Sequence, residues 1–245
     1  MTERPGEMDE RDVDERFASI VAGIEEGRIT YANIRRIVIF LLATGIAEIG
    51  MFLGALALGM PMPLTAVQLL WLNLVTNGVQ DVMLGFGRGE GDELRQPPRP
   101  PDERILNRSA LALMVPPALA MTVLALLMIG WGEARSLPHA QIQNGVLLLV
   151  VVFQNAYVLC MRSERRPLWR EPLTSNPWLL LGVALALGLQ VLAMNWPPLQ
   201  EVLGTAPVGG FVLGLCATGA AVTVVVTETT KWVLRQQSRP GRRPS

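Results

Sequence analysis

Six apolar runs, each of roughly 20 residues, decide what this chain can fold into. They lie at about 35–59, 64–86, 109–131, 141–161, 177–195 and 208–233. A helix of roughly 20 apolar residues is long enough to cross a bilayer core of ~30 Å. The runs therefore predict an all-α, polytopic membrane bundle of six transmembrane helices. A soluble domain of 245 residues would spread its apolar residues into amphipathic stripes instead.

The basic residues orient the bundle. An even number of spans puts both termini on one side. Of the 21 Lys and Arg residues, only Arg135 falls on the other. The rest sit before or at the start of the first span, between the second and third, between the fourth and fifth, or at the C-terminal end. By the positive-inside rule that side is the cytoplasm. Trp131 and Trp196 fall at outer ends of spans, and Trp178 and Trp232 at inner ends, as an aromatic belt requires. The expected setting is a multi-pass protein of the plasma (inner) membrane, with the lipid bilayer as partner and no nucleic acid. Cys160 and Cys216 have no metal spacing and read as packing residues. His139, the single histidine, reads as exposed in an outer loop.

Three parts follow along the chain. Residues 1–16 form an acidic and basic flexible segment, 17–234 the membrane domain, and 235–245 a basic cytoplasmic tail. Within the domain, Phe17, Ile20, Ile24, Tyr31 and Ile34 recur near helical spacing. This lead-in helix is expected to run straight into the first span. Met60-Pro61-Met62-Pro63 predicts a tight outer hairpin. The Arg-rich loop at 162–176 reads as topology signal and headgroup contact.

The second span carries Asn73, Thr76, Asn77, Gln80 and Asp81. On a uniform helix, with Asn73 at zero, they fall near −60°, +40°, −20° and +80° in that order, one stripe of about 140°. Leu72, Leu74, Val75 and Val79 are expected on the lipid side. The first span carries Thr44 and Glu48 on one face. Antiparallel neighbours would bring Glu48 level with Asn73, Thr76 and Asn77. A carboxylate at that depth costs at least ~2.5–3.5 kcal/mol and marks an ion or proton path. The donors are carboxylate, amide and hydroxyl, which suits a hard cation: Ca²⁺, Mg²⁺ or a monovalent ion. Gly78 could let the helix loosen there. The candidate ligands are Glu48, Asn73, Thr76, Asn77 and Asp81. Taken alone, Thr44 and Gln80 read as interhelical glue. Gln154 and Asn155 are open between ligand and glue. Glu228 and Lys231 read as an interfacial ion pair.

Leu69-Leu70-Trp71-Leu72-Asn73-Leu74-Val75-Thr76-Asn77-Gly78 closely resembles the sixth membrane helix of P-type cation-transporting ATPases of the calcium-pump type. Ile24-Glu25-Glu26-Gly27-Arg28 with Tyr31-Ala32-Asn33-Ile34 is similar to the stalk of their fifth helix. Pro97-Pro98-Arg99 resembles the loop after the sixth, and Thr227-Glu228-Thr229-Thr230-Lys231 the end of the tenth. The resemblance implies that the six spans are the fifth to tenth helices of a ten-helix pump.

It also implies ligand roles for Glu48, Asn73 and Thr76. The family's ligand Asp is Asn77 here, its fifth-helix Asn is Gly45, and its eighth-helix Ser-Glu pair matches Ser163-Glu164, which sits among arginines. The family's Asp-Lys-Thr-Gly phosphorylation motif is not in these 245 residues. The chain alone is therefore expected to have no catalytic residues, no bound cofactor and no ATPase activity. ATP and Mg²⁺ would belong to a separately encoded N-terminal pump half. A stand-alone membrane protein that regulates or associates with a pump, or a nonfunctional remnant, are the alternatives left open.

Overall fold

A computed structural model describes residues 10–89, 91, 93–95 and 105–237. The Pro97-Pro98-Arg99 motif, residues 1–9 of the N-terminal segment and the end of the basic tail lie outside the described residues. Among those described the chain is all helix and turn. Its elements are α1 (Glu10–Ala57), α2 (Ala66–Trp71), a π turn (Leu72–Asn77), α3 (Gly78–Gly85), α4 (Arg108–Ala134), α5 (His139–Cys160), α6 (Pro177–Asn195), α7 (Pro197–Leu203) and α8 (Gly210–Gln237). Short 3₁₀ turns lie at Glu93–Arg95, Leu168–Arg170 and Leu173–Ser175.

Five of these helices are long and apolar enough to cross a membrane: α1, α4, α5, α6 and α8. The expected second span is helical from Ala66 to Gly85, but in three pieces, so no single piece reaches spanning length. α1 is unbroken from the lead-in into the first apolar run, as its spacing predicts.

Its C-terminal end closes in a Schellman motif. Gly59 takes a left-handed φ of 66°. Met60 N–H then donates to Ala55 O at 2.8 Å and Gly59 N–H to Leu56 O at 3.2 Å, satisfying carbonyls the helix leaves unpaired. α2 opens at Ala66, three residues after Pro63, on a capping box between Thr65 and Gln68. The hairpin is thus tight, as expected.

α5 sits at the centre, with Val146 through Val151, Phe153, Gln154, Asn155 and Tyr157 buried. α4 packs against α1, α5 and α8, while α3 lies between α1 and α6. Small residues let α1 and α4 approach closely. A β-carbon at Gly50 would lie 2.6 Å from Thr122 Oγ1, and one at Gly54 2.7 Å from Leu126 Cδ1. This is the small-xxx-small packing of membrane helices, where apolar burial alone does not draw helices together.

α4 carries Pro116 and Pro117 in its interior. Pro117 cannot donate to Leu113 O, so that carbonyl would be left unpaired. The Tyr157 hydroxyl of α5 donates to it at 3.0 Å. Tyr157 is fully buried and stacks on Phe40 of α1, with ring centroids 5.6 Å apart. One side chain thereby ties three helices together.

The arginines gather at one end of the bundle. Arg35 donates to both carboxylate oxygens of Glu164 at 3.1 Å, and to Asn107 and Ser109. Arg162 is buried and donates to the carbonyls of Leu159, Leu168, Glu171 and Pro172. It organises the loop from within, while Arg165 and Arg170 of the same loop are exposed. Four carbonyl acceptors compensate the burial of Arg162. At the opposite end Arg135 lies over the stacked rings of Trp131 and Phe211. His139 is exposed, and Cys160 and Cys216 are buried free thiols.

Candidate cation site

The site begins with Glu48, 7 % exposed, in the middle of the apolar part of α1. Its Oε2 accepts from Asn73 Nδ2 at 3.0 Å, and its Oε1 accepts from Gln154 Nε2 at 3.3 Å. Asn77 Nδ2 donates to Asn73 Oδ1 at 3.1 Å. Glu48, Asn73 and Asn77 therefore share one hydrogen-bonded cluster. Thr76 is buried beside it in sequence.

A π turn shapes this cluster. Gly78 N–H bonds Asn73 O, five residues back rather than four. One extra residue enters the turn, so residues five apart come into line. Leu72 then shares the buried face of Asn77. It is 0 % exposed, not on the lipid side where a uniform helix puts it. Asn73 is exposed rather than interior, although it holds Glu48. The helix loosens where Gly78 suggested it could.

Several acceptor oxygens here are buried and receive no hydrogen bond among the described residues: Asn77 Oδ1, Gln80 Oε1, Asp81 Oδ1 and Gln154 Oε1. A buried acceptor without a donor costs about 1–3 kcal/mol. Such oxygens suit a hard cation as cargo. Among the described residues no group of three or more His, Cys, Asp or Glu side chains could hold a metal ion. The donor set is one carboxylate with neutral amides and a hydroxyl, with Asp81 a turn beyond Asn77.

Other expected residues fall elsewhere. Glu164 pairs with Arg35 at the arginine-rich end, away from Glu48. Ser163 Oγ accepts from the backbone N–H groups of Arg165 and Arg166. Gln154 is the α5 residue that reaches the cluster. Its neighbour Asn155 accepts from Gln80 Nε2 at 2.8 Å. Thr44 instead bonds the carbonyls of Phe40 and Leu41 in its own helix. A β-carbon at Gly45 would meet nothing within 4 Å. Lys231 donates to Glu228 at 2.8 Å and to Cys160 O at 2.6 Å. The ion pair is present as expected, and it is buried within the bundle.

Depth along α5 is the signal that separates Gln154 from Glu164. Gln154 lies six residues before the end of α5, and Glu164 lies beyond it.

The sequence is similar to a known family along most of its length. The family described as "Cation transporting ATPase, C-terminus" matches residues 61–233. A calcium-transporting ATPase of Bacillus subtilis is 33 % identical over 199 residues, 80 % of this chain and 22 % of the relative. The probable cation-transporting ATPase F of Mycobacterium bovis is 29 % identical over 218 residues, 89 % of this chain and 24 % of the relative. The mouse calcium-transporting ATPase type 2C member 1 is 29 % identical over 234 residues, 94 % of this chain and 25 % of the relative. The chain thus spans about a quarter of the length of the curated relatives it matches. With the family match running through the π turn and every helix after it, the chain belongs to the P-type cation-transporting ATPases of the calcium-pump type, as their C-terminal membrane domain.

Proposed function

We propose that this chain is the cation-translocating membrane part of a P-type pump, with Glu48, Asn73, Thr76 and Asn77 binding the transported ion. Asp81 adds a second carboxylate one turn along α3, and Gln154 serves as the contribution from α5. One observation carries the reading. A buried carboxylate is held by two amide donors from two other helical segments, and Asn77 and Gln154 each leave an amide oxygen without a donor beside it.

The cation is hard, as the all-oxygen donor set requires. The relatives from B. subtilis and mouse are named for calcium, which makes Ca²⁺ the first ion to try. In this reading residues 66–85 are the sixth span, about 30 Å long at ~1.5 Å per residue. Both termini are cytoplasmic, in keeping with the gathering of arginines at one end. The membrane is the plasma (inner) membrane. ATP and Mg²⁺ act in a catalytic half that carries the phosphorylated aspartate.

The test is Ca²⁺ binding by the full chain in lipid nanodiscs, measured by equilibrium dialysis. Glu48→Gln removes the charge and keeps the shape. Loss of Ca²⁺ binding is expected. Binding equal to that of the unaltered chain would take Glu48 out of the site.

A further inference from the structure

The hydrogen bonds around Glu48 and those of Gln80 draw on the same two segments, the 73–81 stretch and α5. Asn73 donates to Glu48, and Asn77 to Asn73. One turn along α3, Gln80 Nε2 donates to Asn155 Oδ1 at 2.8 Å. The residue before Asn155 is Gln154, which donates to Glu48. Gln80 is the buried amide here that neither the proposed ligand set nor the family resemblance includes.

We propose that Gln80 is a further ligand of the transported cation, binding it through Oε1, with Asn155 as the residue that positions it. The proposal rests on the reading of Glu48 as the centre of the cation site.

Three features carry it. Gln80 is 0 % exposed, and its Oε1 receives no hydrogen bond among the described residues. Pure helix glue would be served by the Nε2 bond alone and gives no role to the second, buried oxygen. Next, the orientation of the amide is determined. Asn155 Nδ2 donates to Val151 O at 2.7 Å, which leaves Asn155 Oδ1 as the acceptor for Gln80. Gln80 must then turn its NH₂ to α5 and keep its oxygen for something else. Last, Asn77 and Gln80 are three apart in the chain, so their side chains are helix-surface neighbours. Asn77 Oδ1 is the adjacent oxygen without a donor. An amide oxygen adds coordination without adding charge, which fits a site built around one carboxylate.

The experiment uses the full chain in lipid nanodiscs, titrated calorimetrically with Ca²⁺ alone and with Na⁺ alone. Gln80→Met keeps the length and removes the oxygen. It should weaken Ca²⁺ binding by about tenfold or more, and Asn155→Ala, which frees the amide, by about tenfold. Gln80→Glu restores the oxygen with a charge, and should shift preference toward Ca²⁺ over Na⁺ by at least about tenfold. A purely structural role would lower thermal stability without moving that preference. If Gln80→Met does not fold, the preference of Gln80→Glu decides.

Unchanged Ca²⁺ affinity in folded Gln80→Met, or unchanged preference in Gln80→Glu, overturns the proposal. If those variants are silent while Glu48→Gln abolishes binding, only the role of Gln80 is lost. If Glu48→Gln binds Ca²⁺ normally, or the unaltered chain binds none, the underlying reading fails and Gln80 falls with it.

Discussion

The Tyr157 hydroxyl donates to the Leu113 carbonyl that Pro117 leaves without a helical donor. In a bilayer no water can take that place, so an unpaired carbonyl at this depth must find a protein donor. The Pro116-Pro117 pair in α4 is therefore tolerated because of a residue 40 positions later in the chain.

Tyr157→Phe keeps the ring on Phe40 and removes only the donor. It should destabilise the bundle by about 1 kcal/mol, or somewhat more, since the carbonyl is again unpaired. Chemical unfolding in detergent, followed by circular dichroism, reads this. Ca²⁺ affinity should not change, because Tyr157 lies outside the cluster around Glu48. A stability equal to that of the unaltered chain would mean that Leu113 O is satisfied in another way.

Lys231 makes a stronger prediction. Its ammonium is buried with Glu228 and bonds the last carbonyl of α5. A cation there also suits the negative end of the helix dipole. Lys231→Met leaves Glu228 buried without its counter-charge and should cost about 3–5 kcal/mol. The double variant Lys231→Met, Glu228→Met removes both charges and should recover much of that loss. Unfolding midpoints of the two variants give the comparison. A double variant as unstable as the single one would assign the cost to the lost α5 cap and not to the stranded carboxylate.

What could be read from the sequence follows from what each feature depends on. Five of the six expected spans were legible because bilayer thickness sets a run length that composition alone reveals. Glu48 and Asn73 were legible because polar residues inside apolar runs are costly enough to be conspicuous. The π turn was not, because it is a choice of hydrogen-bond register that the side chains of Leu72 to Asn77 do not announce. The stripe drawn on a uniform helix consequently misplaced Leu72 and Asn73. Gln154 was left open, and Glu164 weighed beside it, because an ionised residue draws attention that a neutral amide does not. Yet Arg35 claims Glu164, and only the packing of α5 against α1 reveals which residue reaches Glu48. The tie between Tyr157 and Leu113 depends on two helices meeting, so neither segment carries it alone.

The π turn gives the last prediction. On a uniform helix Leu72 and Leu74 both face lipid, and truncating either should matter little. With the extra residue in the turn, Leu72 is 0 % exposed while Leu74 is 68 % exposed. Leu72→Ala should then open a cavity and cost about 2–5 kcal/mol. Leu74→Ala, on the lipid face, should stay within about 0.5 kcal/mol of the unaltered chain. Unfolding of the two variants under one set of detergent conditions separates the alternatives. A large gap between them supports the widened turn. Equal, small effects would mean an ordinary α-helical turn at 72–77, which would return Leu72 to the lipid and Asn73 to the interior beside Glu48.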